Sequence, residues 1–186
     1  MSITGAQTRE RIAAIALDLF EARGYAETTT VQIAAAAGVS EMTLFRHFAS
    51  KDRLLLDDPY DPVIAAAVAD QPQELSPIER VTAGVRAAWR ALPEPAENLT
   101  RRRLRIAAAT PSLIGAVRAN TRTTEAAVAR ALAATGTDPT AARIAAAAVL
   151  AALMESLTAW ASALDDTTLS AAVERALRIL DEAVSA

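Results

Sequence analysis

Side chains that can bind polar or charged partners are concentrated between Ser40 and Lys51. If this segment is helical, Leu44 and Phe48 face a core and the opposite side is mixed in character. That side carries Glu41, Met42, Thr43, Phe45, Arg46 and His47. An arginine can donate two hydrogen bonds to one guanine, and a methionine can contact the methyl group of thymine. Lys51 opens the next predicted helix, where its ammonium group and the helix amides can both face a phosphate.

Enzyme chemistry has little support in the sequence. The chain has no cysteine, and its one histidine, His47, already belongs to the polar segment, so Ser-His-Asp, Cys-His and histidine-rich metal sites cannot be assembled. Gly24, Gly38 and Gly136 stand where helices should end, so they do not form a phosphate-binding loop. A catalytic site built from carboxylates alone is not excluded, but no feature of the sequence supports one. We therefore expect no enzyme activity, no metal and no cofactor.

Local signals predict the first helices of the chain. A helix over residues 8–23 has apolar residues at spacings of three and four, and Gly24 ends it. Thr29 and Gln32 have the form of a capping box, in which each side chain accepts a hydrogen bond from the other residue's backbone amide. The second helix should therefore begin directly after Thr29.

The next signals give the spacing of a helix-turn-helix. Gly38 ends the second helix, Ser40 can cap a third helix that runs through His47, and Ser50 can cap a fourth that begins at Lys51. Two helices joined by a short turn with a glycine are typical of this DNA-binding motif. The third helix is then the one expected to enter the major groove.

The rest of the chain also predicts helices, because proline and glycine recur at start and stop positions. These helices are expected near 62–71, 77–92, 95–109, 111–135, 139–164 and 168–185. Alanine is abundant and strand-like runs are absent, so the fold class should be all-α. Prolines after residue 56 mark a joint between an N-terminal three-helix helix-turn-helix domain, 1–56, and a helical ligand-binding and dimerisation domain, 57–186.

Residues 8–56 resemble the DNA-binding domain of TetR-family transcriptional regulators. The resemblance lies in Arg11-Ile12, Leu19-Phe20, Arg23-Gly24-Tyr25, Thr28-Thr29-Thr30, Ile33-Ala34, Ala37-Gly38-Val39-Ser40, Thr43-Leu44-Phe45-Arg46-His47-Phe48 and Ser50-Lys51. It implies a ligand-responsive regulator that binds double-stranded operator DNA. It further implies a repressor that a small apolar effector releases from that DNA.

The resemblance also implies roles for individual residues. Positions at which the family commonly reads bases hold Glu41, Met42 and Arg46. Positions at which the family contacts the DNA backbone are occupied by Thr43, Phe45, His47 and Lys51. Thr29 or Thr30 should supply a second contact with the backbone. Val31 stands where some members carry a base-reading arginine, and Glu41 places an acid toward a polyanion, so the operator sequence is not predicted. Stabilising its own helix N-terminus is the alternative role for Glu41.

The second domain carries a further resemblance, in Asp57-Asp58-Pro59 and in Arg102-Arg103-Leu104-Arg105 before Thr110-Pro111. It looks like the actinobacterial branch of the family that includes mycofactocin-system regulators. This resemblance implies fatty acyl thioesters as candidate effectors. The arginines of 101–105 have two interpretations: a solvated face paired with Glu94 and Glu97, or capture of an effector's phosphate or carboxylate.

An effector site and a dimer interface are both expected in the second domain. The effector site is placed at Val85, Trp89, Met154 and Trp160, because alanine-rich helices around large side chains leave room for an apolar ligand. Core packing of the tryptophans is the alternative. The helices at 139–164 and 168–185 carry apolar residues on more than one face, which predicts a symmetric homodimer. Without cysteine, signal peptide or a membrane-length apolar run, we expect a cytoplasmic protein that binds no membrane.

Net charge does not decide the question of DNA binding. The formal charge is −3, so any attraction to DNA depends on where the charges lie. The competing hypothesis is an architectural DNA-binding protein without an effector. Such a protein should be basic overall and needs no large apolar second domain. Release from DNA by added ligands would distinguish the two.

Overall fold

Helices form the regular structure of this computed structural model, which describes residues 5–56, 61–91 and 97–185. No strand occurs in these ranges, and the predicted all-α class is confirmed. The α-helices are α1 (Gly5–Arg23), α2 (Thr30–Ala36), α3 (Glu41–His47), α4 (Arg53–Leu56), α5 (Asp61–Ala69), α6 (Pro77–Ala91), α7 (Glu97–Ala109), α8 (Ile114–Ala134), α9 (Pro139–Ser162) and α10 (Leu169–Ser185).

Three predicted helix starts are wrong by a few residues. The first helix begins at Gly5 and not at Thr8. The fourth helix begins at Arg53 and not at Lys51, because the intervening residues form a turn in which the Leu54 amide donates to the Lys51 carbonyl oxygen. The helix predicted from residue 111 begins as a 3-10 turn over Pro111–Leu113, and the α-helix follows from Ile114. Helix ends commonly tighten into such turns.

Backbone contacts divide the chain into two units. One comprises Met1–Asp57 and Asn98–Val117, and the other comprises Asp58–Glu97 and Arg118–Ala186. The domains predicted from the sequence, 1–56 and 57–186, divide the chain by function and stay a prediction. By contacts, most of α7 groups with the N-terminal helices.

The core of the first unit is built on the apolar face of α1. This face buries Ile12, Leu17 and Phe20. Other buried members of the same core are Ile33, Leu44, Phe48, Leu54, Ile106 and Leu113. Each large apolar side chain that is fully buried stabilises the fold by about 1.5–3 kcal/mol relative to exposure.

The turn between α2 and α3 is fixed by local hydrogen bonds. The predicted capping box is present: the Thr29 amide donates to Oε1 of Gln32 at 2.9 Å, and the Gln32 amide donates to Oγ1 of Thr29 at 3.2 Å. Gly38 has a φ of 64°, a left-handed conformation that glycine adopts at little cost. Ser40 then caps α3, because its Oγ accepts from the Thr43 amide at 3.1 Å.

In the second unit α6 packs against α5, α9 and α10, and α9 also packs along α10. The core formed by these helices together with α8 is made mainly of valine, leucine and alanine side chains. Its members include Val68, Val81, Val128, Leu132, Ala142, Ala145, Val149 and Leu177. The small alanines on α9 let neighbouring helices approach closely.

The crossing of α5 and α6 depends on Gly84. A Cβ added at this glycine would lie 2.7 Å from Cα and 2.8 Å from the backbone nitrogen of Val68 on α5. Backbone atoms cannot move away as a flexible side chain can, so only glycine permits this close approach.

Polar side chains of α6 bind neighbouring segments of the second unit. Arg86 forms ion pairs with Glu174 at 2.9 Å and Asp181 at 2.7 Å on α10, and the hydrogen bonds that it donates to Glu174 are the main cause that raises the pKa of Arg86. Arg80 is only 2% exposed and donates to the hydroxyl of Thr135 at 2.6 Å, just past the end of α8. The negative end of the α8 dipole is favourable for this buried charge.

The long helix α9 is unusually apolar. By length and composition alone it could cross a membrane, and 39% of its most apolar 18-residue window is buried within the chain. The buried part belongs to the core of the second unit. Most of the other residues in the window are partly buried, and Ile144 is exposed.

Candidate nucleic-acid interface

The α3 helix is held at both ends by side chains of the first unit. At its start Oγ of Ser40 also lies 2.9 Å from Oγ1 of Thr43. At its end the guanidinium of Arg9 donates to the backbone oxygen of His47 and lies 4.2 Å from the ring centroid of Phe48. Leu44 anchors the middle of the helix in the core. The outward face of α3 is thus fixed in position.

That outward face carries two large apolar side chains and one arginine. Met42 is 83% exposed and Phe45 is 46% exposed. Arg46 is also exposed, and no hydrogen bond or ion pair of its guanidinium is found among residues 5–56, 61–91 and 97–185. Since 42, 45 and 46 are three and four residues apart, these side chains share one helix face. Val31 on α2 is a further exposed apolar residue, at 59%.

Glu41 faces inward to α2. Its Oε1 accepts a hydrogen bond from the hydroxyl of Thr30 at 2.5 Å. The bond joins the start of α2 to the start of α3, and it uses the only hydroxyl proton of Thr30. Thr29 is likewise engaged, because its Oγ1 serves as the cap of α2. The predicted DNA contacts of Glu41, Thr29 and Thr30 stay predictions. Each of these side chains also has a hydrogen bond within the protein.

Lys51 binds the turn that connects α1 and α2. Its Nζ donates to the backbone oxygens of Tyr25 at 2.9 Å and Thr28 at 3.0 Å, and it lies 4.1 Å from the Tyr25 ring centroid. Two of the three ammonium protons are therefore used within the protein. Burial is the larger cause that raises the pKa of Tyr25, followed by the charge of Asp52. Sequence reasoning did not detect this structural role of Lys51.

The arginine-rich start of α7 also has a partner that the sequence did not suggest. Arg102 bonds Glu21 at 2.7 Å and 2.8 Å and Asp18 at 2.6 Å, and both carboxylates lie on α1. The hydrogen bonds that Arg102 donates, first to Glu21 and then to Asp18, raise the pKa of Arg102. Glu97 accepts instead from the Leu169 amide at the start of α10, at 2.7 Å. Glu94, the other partner expected for this cluster, lies outside the described residues.

The four residues predicted to bind an effector lie in the second unit. Val85 is buried in its core, and Trp89 packs against that core while its Nε1 donates to Oγ of Ser170 at 3.2 Å. Trp160 is 3% exposed, and its Nε1 donates to the backbone oxygen of Thr167 at 2.7 Å. Met154 on α9 is half-buried. Both indole N–H groups thus have acceptors near the start of α10, which favours a core role for the tryptophans.

An open groove of about 310 Å³ lies elsewhere in the second unit, between α8 and α9. Its lining is formed by Ala126, Ala129, Arg130, Ala133, Pro139 and Arg143. None of the four predicted effector residues is among them. The predicted effector site is left as a prediction.

Comparison with known families matches both parts of the chain. Residues 12–57 match the family model for bacterial regulatory proteins of the tetR family. Residues 75–185 match the model of the MftR C-terminal domain. The second match covers more than half of the chain, and it falls on the part for which the sequence showed resemblance to mycofactocin-system regulators.

Individual relatives are also regulators. The HTH-type transcriptional regulator TcmR of Streptomyces glaucescens is 39% identical over 83 residues, which are 44% of this chain and 37% of TcmR. The match thus spans little more than a third of that curated relative. Thermus thermophilus FadR, a TetR family repressor solved with lauroyl-CoA, is 26% identical with a TM-score of 0.50, covering 94% of this chain and 93% of FadR. SmeT, the repressor of the Stenotrophomonas maltophilia efflux pump SmeDEF, is 22% identical with a TM-score of 0.58, covering 94% and 89%.

Proposed function

Because this chain belongs to the TetR family of bacterial regulatory proteins and has a C-terminal domain of the MftR type, we propose that it represses transcription from operator DNA as a homodimer. A small apolar effector releases it from that DNA. The observation that carries the proposal is the outward face of α3, where Met42, Phe45 and Arg46 are exposed on a helix fixed at both ends.

The dimensions and chemistry of α3 suit the major groove. The groove is about 12 Å wide and admits an α-helix, and α3 rises about 10 Å over its length at roughly 1.5 Å per residue. Arg46 is assigned to base edges, while Thr43, Phe45 and His47 lie on the same short helix for contact with the backbone. The remaining N–H of Lys51 supplies a phosphate contact.

The homodimer is supported by apolar surface on the last two helices. Ile144 on α9 is 62% exposed and Ile179 on α10 is 57% exposed. Apolar residues exposed on adjacent helices are suited to a partner surface, and a second copy of the same two helices is self-complementary under two-fold symmetry. A symmetric dimer reads two half-sites about 34–36 Å apart. Repression of this kind takes place in the cytoplasm, where the DNA is.

An acyl compound is the effector class that we favour. The solved FadR holds lauroyl-CoA, and this chain is 26% identical to it over nearly its whole length. Val85, Trp89, Met154 and Trp160 are the proposed contacts, with the groove beside Arg130 and Arg143 as the other location. An acyl chain suits the apolar surroundings of either one.

Selection of bound DNA from a random duplex library tests the proposal. We expect enrichment of one inverted-repeat sequence, bound by a dimer. Recovery of all duplexes equally would contradict specific repression and would favour an architectural role.

Titration of the selected complex with acyl-CoA thioesters of increasing chain length then tests the effector. We expect loss of DNA binding together with a change in tryptophan fluorescence, and weaker responses in Trp89→Phe and Trp160→Phe. Release that is equal in the wild type and both variants, with unchanged indole emission, would place the effector elsewhere.

A further inference from the structure

We propose that Glu155 on α9 pairs with Arg175 on α10 of the second copy in the homodimer, so that two ion pairs form under two-fold symmetry. The inference rests on the proposed function, because it names the charges by which the dimer surface selects another copy of this chain. The observation behind it is that two opposite charges stand without partners on the faces of α9 and α10 that expose Ile144 and Ile179.

Glu155 is the only acidic residue of α9. It is exposed and lies 11 residues after Ile144, a separation that returns to the same side of an α-helix after about three turns. No hydrogen bond or ion pair of its carboxylate occurs within residues 5–56, 61–91 and 97–185. Covering this face with a purely apolar partner would be unfavourable, because a charge that is removed from water needs a counter-charge.

Arg175 provides a counter-charge on the neighbouring helix. It is exposed and stands four residues before Ile179, so both side chains lie on one face of α10. In the part of the chain that the structure describes, its guanidinium has no hydrogen bond or ion pair. The other arginine of α10, Arg178, is paired with Glu182 at 4.0 Å. Arg175 is therefore the cation of this helix that is left to pair with another copy.

Glu155 and Arg175 lie at nearly the same level of the two helices. Oγ of Ser156 donates to the backbone oxygen of Ala172 at 2.7 Å, which places these parts of α9 and α10 side by side. The helices pack along each other and are joined by the short segment 163–168, so they run antiparallel. Glu155 precedes Ser156 by one residue and Arg175 follows Ala172 by three, so both are displaced in the same direction, by about 1.5 Å and about 4.5 Å.

An acid and a base placed in this way are self-complementary across a two-fold axis. An axis that passes between them, perpendicular to the surface, places the partner's carboxylate over the guanidinium and the partner's guanidinium over the carboxylate. An axis through either residue would place like charges together, which is unfavourable. The two pairs thus fix the register of the copies, and they disfavour a different chain that lacks the matching charges.

Reciprocal charge reversal tests the inference, because it separates the ion pairs from the apolar surface around them. In Glu155→Lys and in Arg175→Glu each homodimer contains two like-charge contacts, so we expect its dissociation constant to rise about 10- to 100-fold. A one-to-one mixture of the two variants should form heterodimers with nearly wild-type affinity, because both contacts then join opposite charges. Sedimentation measures the affinities, and native mass spectrometry identifies the heterodimer by its mass.

Glu10→Lys on α1 and Arg122→Glu on α8 are the matched controls. Both residues are exposed and have no hydrogen bond or ion pair within the described ranges. Neither substitution should change the dissociation constant of the dimer, alone or in the mixture. In Glu155→Lys and Arg175→Glu the loss of affinity should become smaller in about 1 M salt, because screening weakens the repulsion.

The outcomes separate the ion pairs from the dimer itself. Unchanged affinity in both test variants, or weakened homodimers that do not recover in the mixture, overturns the inference while the homodimer stands. Recovery in the mixture also shows that both variants are folded. A wild-type chain that is monomeric at micromolar concentration would contradict the proposed function, and the inference with it.

Discussion

Glu41 and Lys51, both predicted to face DNA, have hydrogen-bond partners inside the protein. Glu41 seemed to place an acid toward a polyanion, yet its bond with Thr30 joins α2 to α3. Lys51 seemed to be a simple phosphate contact, yet two of its protons are bound by the turn before α2. Both side chains thus hold the motif together as well as carrying charge.

These partners could not be predicted from the sequence. Thr30 and Glu41 are 11 residues apart, and Tyr25 and Lys51 are 26 apart, so neither pair falls within one helix. Residue types and local spacing indicated which side chains reach the surface of α3. They did not indicate which donors and acceptors are already used, because that depends on how separate helices pack.

Arg46→Ala and Lys51→Ala should weaken operator binding in different ways. Loss of Arg46, which is proposed to read a base, should cost about 1–3 kcal/mol and relax specificity at one base position. Loss of Lys51 should weaken all DNA sequences alike, reduce the salt slope by about 1, and also lower the free energy of unfolding by about 1–3 kcal/mol, because two carbonyl groups lose their donor. Binding to single-base operator variants at several salt concentrations, with urea unfolding, measures these effects.

The two variants serve as controls for one another. Arg46 is exposed and anchors nothing in the described part of the chain, so its removal should leave unfolding unchanged. Identical specificity profiles for the two variants, or no loss of stability in Lys51→Ala, would show that the assigned roles are wrong.

At the scale of elements, local signals predicted the helices well. The capping box at Thr29, the cap at Ser40 and the Asp138 cap before α9 all appear where the sequence placed helix starts. Each is a bond between residues two or three apart, so the sequence contains all of the information. The crossing of α5 and α6 at Gly84 could not be predicted in this way. It depends on a contact with the backbone of Val68, 16 positions away, which the sequence pattern does not reveal.

Gly84→Ala should destabilise the second unit. The new methyl group would overlap the backbone of Val68, and overpacking of this kind typically costs about 1–3 kcal/mol. Gly115→Ala is the matched control, since no atom lies within 4 Å of a Cβ built there and alanine favours a helix. Urea unfolding of both variants measures the difference. Equal stability of the two would mean that the close approach of α5 and α6 is not required.

At the scale of the whole molecule, the proposed homodimer makes a prediction about α9 and α10. Ile144→Glu and Ile179→Glu should each weaken dimerisation by about 2 kcal/mol or more, because they bury an unpaired charge in the interface. Val31→Glu is the control, because Val31 has nearly the same exposure, 59%, on a helix of the first unit. Sedimentation at micromolar concentration measures the association state. A wild-type monomer, or unchanged dimers in both isoleucine variants, would contradict the interface.

The helix α7 is the element in which coupling between effector and DNA can be tested. Its first residue, Glu97, bonds the start of α10 in the second unit, and Arg102 bonds Asp18 and Glu21 of α1 in the first unit. Effector coupling is typically worth about 1–3 kcal/mol. We expect Arg102→Ala to bind effector normally while losing most of the effector's influence on DNA affinity. Measurement of DNA affinity with and without saturating effector gives the coupling directly.

Arg105→Ala is the control for this prediction, because Arg105 is an exposed arginine on the same helix. It should keep the wild-type coupling. Full coupling in Arg102→Ala would exclude its ion pairs with α1 from signal transmission. Arg102→Ala should lower the free energy of unfolding by only about 1 kcal/mol, because the ion pairs that it removes are partly exposed.

The core of the first unit has a consequence for modular engineering of such regulators. Ile106 and Leu113 are buried together with residues of α1, so this core is completed by chain that lies beyond residue 97. A chimaera that exchanges only the N-terminal segment would join one α1 surface to a foreign α7. To transfer DNA specificity, the matching stretch of α7 should therefore be exchanged together with the N-terminal segment. Otherwise the two parent proteins need compatible residues where α1 contacts this stretch.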